Sequence, residues 1–521
     1  MVTISIREVL VLSLCLAVHL SYRKHRRRLL PLPPGPFVWP IVGNAFIIPL
    51  TYVHRFYKNM GDKLGSKILY LEAVGRPIIV LNDVDMARDL LEKRSALYSS
   101  RPVSPMINDV IGCNYSFVLF PYGDEWRSHR RAFQQHLSEK HLPQIQERVL
   151  EFVRKGLLAS LASGSDNLHD HVRNTIGGLS VSMTYGLPVQ RQNDPLVHFA
   201  AEEFIALAGA AAPGKYLVNV FAPLKYIPGW MPGAGFQRRA KEISKRLDRL
   251  LEEPYQATIK QMEDGIAPPS FVADALEQSS KSSDYEIQAQ CIKQAAWQIF
   301  GALSETTIAA VMTLFLAMLL HPDVQLKAQE ELDSVVGPDR LPEFSDMPHL
   351  TFFSAIVKEV LRWNPIVPSG VPHMTTEEDV YMGYYIPKDC IIMANAYAML
   401  HDEAVFPEPE KFIPERFMNQ DGSIRRDLPD PEFIATFGFG RRICPGAHIA
   451  RSTLTIAAAS FLYLFDISPA LDVDGKPINV KPEFAPASIT SEPLPFPCKV
   501  TPRSGKDVHD LLKDVSGTDP I

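Results

Sequence analysis

Residues 284–320 run for 37 positions without a proline and stop at His321-Pro322. A helix over that stretch would be roughly 55 Å long, about three times the usual length in a globular protein. Its second half, 308–320, is apolar except for Thr313. Thirteen such residues are too few to cross a bilayer, so the pattern predicts a central helix buried in a large core. A chain that is 46% hydrophobic and 21% charged has the apolar mass to surround that helix, which excludes disorder, collagen and coiled coil. The formal charge of −6 gives no global basic excess for nucleic acid as the main partner.

Elsewhere helical periods dominate, over 125–136, 142–161, 237–262, 323–336 and 352–363. Strand-length segments are confined to 67–72, 77–81, 381–386 and 390–393. The expected class is mainly α with small β-sheets, not a doubly wound fold.

The amino terminus has its own logic. Residues 9–22 form a mostly apolar run, followed by Arg23, Lys24, Arg26, Arg27 and Arg28. No small-x-small cleavage site precedes the cations, so the segment reads as an uncleaved single-pass anchor over 1–22. The positive-inside rule then leaves the rest of the chain in the cytosol. Leu32-Pro33-Pro34-Gly35-Pro36 closes a basic and proline-rich linker, 23–36, as a stiff spacer. The catalytic body is expected over 37–505, with a tail at 506–521. On this topology the sequon Asn114-Tyr115-Ser116 stays unglycosylated.

Six cysteines, at 15, 113, 291, 390, 444 and 498, include no CxxC pair and are too sparse for a disulfide scaffold or a zinc cluster. One sits in Phe437-Gly438-Phe439-Gly440-Arg441-Arg442-Ile443-Cys444-Pro445-Gly446. Glycines bracket Cys444 and let backbone approach a large flat partner. A helix predicted from 447 places Cys444 near a helix N-terminus, where the dipole favours a thiolate. Arg442 is placed to meet an anionic edge. By residue frequencies, such a five-point pattern arises by chance on the order of 10⁻⁴ times per chain.

This FxxGxRxCxG run resembles the haem-binding loop of the cytochrome P450 family, and further motifs follow in that family's order along essentially the whole chain. The resemblance implies haem b (iron protoporphyrin IX) between the long central helix and the cysteine-loop helix. Cys444 would be the axial iron ligand, with Phe437 and Arg442 in the cofactor-binding loop. Glu359-Val360-Leu361-Arg362 and Pro414-Glu415-Arg416-Phe417 resemble the ExxR and PERF elements, which would form a buried charge network behind that loop. Trp126-Arg127-Ser128-His129-Arg130 resembles the WRxxR element, so Trp126 and Arg130 would reach a haem propionate. His373 would meet the other propionate, and Arg101 is a further candidate.

Ala302-Leu303-Ser304-Glu305-Thr306-Thr307 resembles the family's acid–alcohol segment. Glu305 would be the acid and Thr306 the hydroxyl that deliver protons during oxygen activation. A mid-helix threonine can instead simply bond the carbonyl four residues back. Leu303 departs from the family's glycine and would narrow the space on the distal side. Gly301 cannot stand in for it, since two helical residues differ by ~200° around the axis.

The variable segments 102–120, 204–221, 296–303, 367–371 and 484–489 are predominantly apolar, which suits a lipophilic small molecule. Tyr216, Phe221, Tyr226, Trp230 and Phe236 suit a membrane interface. No nicotinamide or flavin unit is evident, so the resemblance implies O2 and electrons from an NADPH–cytochrome P450 reductase in the endoplasmic reticulum membrane. Arg127, Arg131 and Arg441 would steer that partner. The segments at 37–44 and 373–379 look most like fungal members working in secondary metabolism. Two other readings stay open: an isomerase or dehydratase on the same fold, and a non-catalytic haem protein. Leu303 favours the first of these, and the Glu305–Thr306 pair opposes it.

Overall fold

The computed structural model describes residues 30–513 and 521, except 165, 166, 212, 213, 487 and 488. The predicted anchor over 1–22, its basic cluster and residues 514–520 of the tail lie outside the described residues. Helix α1 (Val53–Leu64) leads into the hairpin β1 (Ile68–Ala73) and β2 (Arg76–Leu81). A helical run follows: α2 (Asp124–Leu137), α3 (Leu142–Phe152), α4 (Leu168–Tyr185), α5 (Pro195–Ala211) and α6 (Gly235–Glu263). It continues through α7 (Phe271–Ser279), α8 (Tyr285–Leu320), α9 (Pro322–Val336) and α10 (Thr351–Trp363). The C-terminal third holds β3 (His373–Met374), β4 (Asp379–Tyr381), β5 (Tyr384–Ile386), β6 (Ile391–Ala394), α11 (Ala447–Leu464), β7 (Phe465–Pro469) and β8 (Cys498–Pro502).

The long helix forms as its sequence predicts. From Thr307 to Leu319 every residue of α8 is buried, so this half is apolar all round because it has neighbours all round. Helices α2, α4, α7 and α11 pack against it. Its one polar interruption is satisfied: Thr313 Oγ1 donates to the Ala309 carbonyl at 2.7 Å and accepts from Asn364 Nδ2 at 3.0 Å. As an apolar helix of membrane-spanning length it is nevertheless a core element, 78% buried over its most apolar window.

The main sheet runs β1-β2-β6-β3, with β2 and β6 parallel and the other pairs antiparallel. Pairing of β3 with β6 sets His373 opposite Ile392 and so fixes that histidine's place beside the site. The strand expected over 381–386 is instead a hairpin, β4–β5, turning at Met382 and Gly383 with φ of 50° and 79°. Two successive positive φ values match the tight turn that suits a twisted hairpin. Helix α4 escaped the periodicity reading because Asn174, Thr175, Ser180 and Thr184 are buried along with its apolar residues, which erases the amphipathic signal.

Candidate active site

The cysteine loop is built by backbone. Cys444 N–H donates to the Phe437 carbonyl at 2.8 Å, closing a turn in which Gly438 and Gly440 have φ of 77° and 55°. Gly440 is required twice over, since a Cβ there would sit 2.1 Å from the Leu91 carbonyl oxygen. Two residues beyond Cys444, Gly446 caps α11. The Cys444 side chain is exposed, but to an internal hollow and not to bulk water. Burial therefore pushes the thiol up, against the pull of the Gly446 N–H and of Arg130. The helix terminus that the sequence suggests would favour a thiolate is thus the weaker influence in the protein alone.

Behind the loop, Glu359 and Arg362 on α10 form a fully buried bidentate pair with bonds of 2.7 and 2.8 Å. Arg416 Nε donates to Glu359 at 3.1 Å, and so does the Ile413 N–H at 2.8 Å. The remaining Arg362 donors reach the carbonyls of Leu400, Pro409 and Lys411. Lys358, next along α10, pairs with Asp430 just ahead of the cysteine loop.

A cavity of about 310 Å³ lies between α8 and the cysteine loop. Arg101, Trp126, Arg130, His373, Phe437, Arg442 and Cys444 all line it, as do Leu303 and Thr306. Arg442 stacks over the Trp126 ring at 4.4 Å and donates to the Ser99 and Phe120 carbonyls. Its Nη1 is buried with no partner among the described residues. Arg101 donates through Nε to the Val118 carbonyl and through Nη1 to the carbonyls of Val371 and Pro372, and its charge faces that of Arg442. Arg130 Nη1 donates to the Ile443 carbonyl at 2.8 Å. Burial pulls Arg442 down to about 10 and lowers Arg101 as well, where the Arg442 charge adds to the effect. His373 Nδ1 must carry the proton it gives to the Tyr98 carbonyl at 2.8 Å, which leaves Nε2 as a lone pair. Burial, then the two arginines, keep His373 neutral.

The middle of α8 divides its polar residues between two faces. Thr306 Oγ1 donates to the Ala302 carbonyl at 2.7 Å, the back-bond open to any mid-helix threonine, and keeps lone pairs free to accept. Leu303 is buried against the cavity. Glu305 is not among the cavity-lining residues; it faces Arg173, Glu492 and His169. Burial pushes its carboxyl up to about 7, with Arg173 opposing and Glu492 reinforcing. His169 Nε2 lies 2.8 Å from Glu492 Oε1, across 323 residues of chain.

Comparison with known proteins settles the affiliation. The cytochrome P450 family model matches residues 33–497. The chain belongs to the cytochrome P450 family. It is 40% identical over 509 residues to a cytochrome P450 monooxygenase, ple1, of Rhodocybe pseudopiperita, covering 97% of this chain and 96% of that one. It is 37% identical over 516 residues to tryptamine 4-monooxygenase of Psilocybe cyanescens, covering 98% and 100%. A P450 monooxygenase of Armillaria gallica is 36% identical over 507 residues, covering 97% and 98%. The chain is accordingly a haem-thiolate monooxygenase, with haem b, O2, a redox partner and a small-molecule substrate.

The P450 cavity fits haem by its own chemistry. Arg101, Arg442 and Arg130 bring positive charge to one wall, where the described carboxylates give it no counterion. Buried uncompensated charge is costly unless an anion joins it, and haem b carries two propionates. A carboxylate beside His373 would supply the charge that lets Nε2 take a proton and donate. The residues around Glu305 and the pairing of Ser116 with Gln298 were not singled out from the sequence, because each joins segments far apart in the chain.

Proposed function

We propose that Cys444 is the axial iron ligand, that Arg442, Arg101, Trp126, Arg130 and His373 hold the propionates, and that Phe437 closes the cysteine loop against the cofactor. The observation that carries this reading is the meeting of one thiol and an uncompensated cationic wall in a single cavity under α8. When bound, a thiolate-ligated haem supplies the electron density that promotes O–O cleavage. The protein's part is to hold Cys444 through the Phe437 turn, to line the substrate side with apolar groups and to move protons. Glu305, pushed up to about 7, can hold or release a proton near neutral pH, which suits an acid–base residue. His169 and Glu492 lie beyond it toward the outside of α8, while Thr306 presents acceptor lone pairs to the cavity.

The substrate in this reading is a small lipophilic molecule of fungal secondary metabolism; among the relatives, one is named as acting on tryptamine. The catalytic body sits in the cytosol against the endoplasmic reticulum membrane, held by the anchor over 1–22. Supporting this, Phe37, Trp39 and Phe46 are 72%, 59% and 88% exposed, and Tyr226 and Trp230 are 78% and 81% exposed. Leu50, 61% exposed, lies beside Gly214, so the N-terminal group reaches the loop that leads to Tyr226 and Trp230. Tyr216 and Phe236, expected to share that face, pack against the core instead. Arg127, Arg131 and Arg441 are exposed, Arg127 and Arg441 sharing the Tyr122 ring beside the cysteine loop, and such cations suit an acidic NADPH–cytochrome P450 reductase.

The test is Cys444→Ser. The wild type, reduced and bound to CO, shows the thiolate-type Soret band; the variant loses it. Retention of that band in the variant overturns the ligand assignment. O2-dependent consumption of NADPH with the reductase, coupled to product, separates a monooxygenase from an isomerase that turns over without dioxygen.

A further inference from the structure

The substrate end of the cavity is walled by Phe117, Val118, Ile299, Leu303 and Val367, and into that wall one amide projects. Gln298, Ala302 and Thr306 stand on successive turns of α8 and all face the cavity. The Ser116 hydroxyl, itself buried, donates to Gln298 Oε1 at 2.7 Å. In this arrangement the amide oxygen is taken by protein and Nε2 is turned away. Among the described residues nothing accepts from Nε2. Two turns along the same face, Thr306 has its own proton committed to the Ala302 carbonyl.

A pair of N–H donors held on the border of an apolar cavity selects its ligand. A pure hydrocarbon would strip water from Nε2 and return nothing, leaving a buried donor unsatisfied. A ligand with a correctly placed oxygen acceptor recovers that loss, and sites built this way reject analogues that lack the group. We infer that Gln298, oriented by Ser116, is a specificity-determining residue that recognises a neutral acceptor oxygen, of carbonyl type, on an otherwise lipophilic substrate. This deepens the monooxygenase reading and rests on it. It also predicts that the substrate arrives already carrying oxygen, so an oxygenating or acyl-forming reaction precedes this one.

The test uses the haem-loaded full chain and three probes of one skeleton: the ketone nootkatone, the alcohol nootkatol and the hydrocarbon valencene. Binding is read by equilibrium dialysis. Wild type takes nootkatone about tenfold more tightly than valencene, the range of one neutral hydrogen bond. Gln298→Met weakens nootkatone about tenfold, leaves valencene unchanged and keeps the CO band of the reduced protein. Ser116→Ala, which frees the amide without removing it, gives a smaller loss of the same preference. Equal binding of nootkatone and valencene by wild type, or no binding of either, overturns the inference. So does a preference that survives Gln298→Met, or binding of nootkatol without nootkatone, which would mean an acceptor faces the cavity. Loss of the CO band in wild type would instead count against the haem-thiolate assignment itself.

Discussion

Two buried charge clusters lie close to the same cysteine loop and are built on opposite plans. In the first, Glu359 sits between Arg362 and Arg416, and the arginine protons find carbonyls at Leu400, Pro409 and Lys411. In the second, Arg101 and Arg442 crowd together with their charges facing one another beside a neutral His373, and Arg442 Nη1 has no partner among the described residues. The first cluster is closed: a carboxylate stands between its two guanidinium groups and carbonyls take the remaining Arg362 protons, which is how a structural network survives burial. The second is open and its missing member is an anion. The difference teaches that burial of charge alone does not mark a binding site; burial of charge with no counter-charge beside it does.

Breaking the closed cluster should have the largest effect. Glu359→Ala strands two buried guanidinium groups and is expected to cost about 3–5 kcal/mol, read by chemical denaturation with loss of haem-loaded protein on expression. Breaking the open cluster should act differently. Arg442→Gln keeps donors for the Ser99 and Phe120 carbonyls while removing the unbalanced charge. Haem-free protein should lose less than about 1 kcal/mol, whereas haem binding weakens by about 1.5–3 kcal/mol, read by competitive transfer to apomyoglobin. Equal losses in both states would erase the contrast between the clusters.

A smaller effect sharpens the same comparison from α8. Glu305 has its carboxyl raised from 4.5 to about 7, so the folded protein holds a proton that the unfolded chain releases. Stability from this group is therefore lost as pH rises from about 4.5 to about 7 and is constant above that. Glu305→Gln, uncharged throughout, should match wild type below this window and melt about 1–2 °C higher above it, read by thermal scans across pH. A gap that opens in the opposite direction would mean that Arg173, not burial, dominates the site.

Much of this architecture was legible in one dimension. The 36-residue helix Tyr285–Leu320 and its stop were visible because proline, glycine and apolar spacing act locally. The cysteine loop was visible because close backbone approach demands glycine at specific positions, as Gly440 against Leu91 shows. Helix α4 was not, since a helix buried on nearly all sides carries no periodic face. The hairpin β4–β5 read as one strand because Met382 gives no turn signal of its own.

What the order of residues decided, then, is the set of parts: which segments coil, where the thiol stands, which arginines and carboxylates exist to be paired. Folding decided the pairings. Glu305 turns toward Glu492 and His169 instead of the cavity, Gln298 is aimed by a serine 182 positions away, and Arg442 is left one partner short. Those outcomes depend on which distant segment supplies a counter-charge or a hydroxyl in a low-dielectric interior, and neither spacing nor composition encodes that.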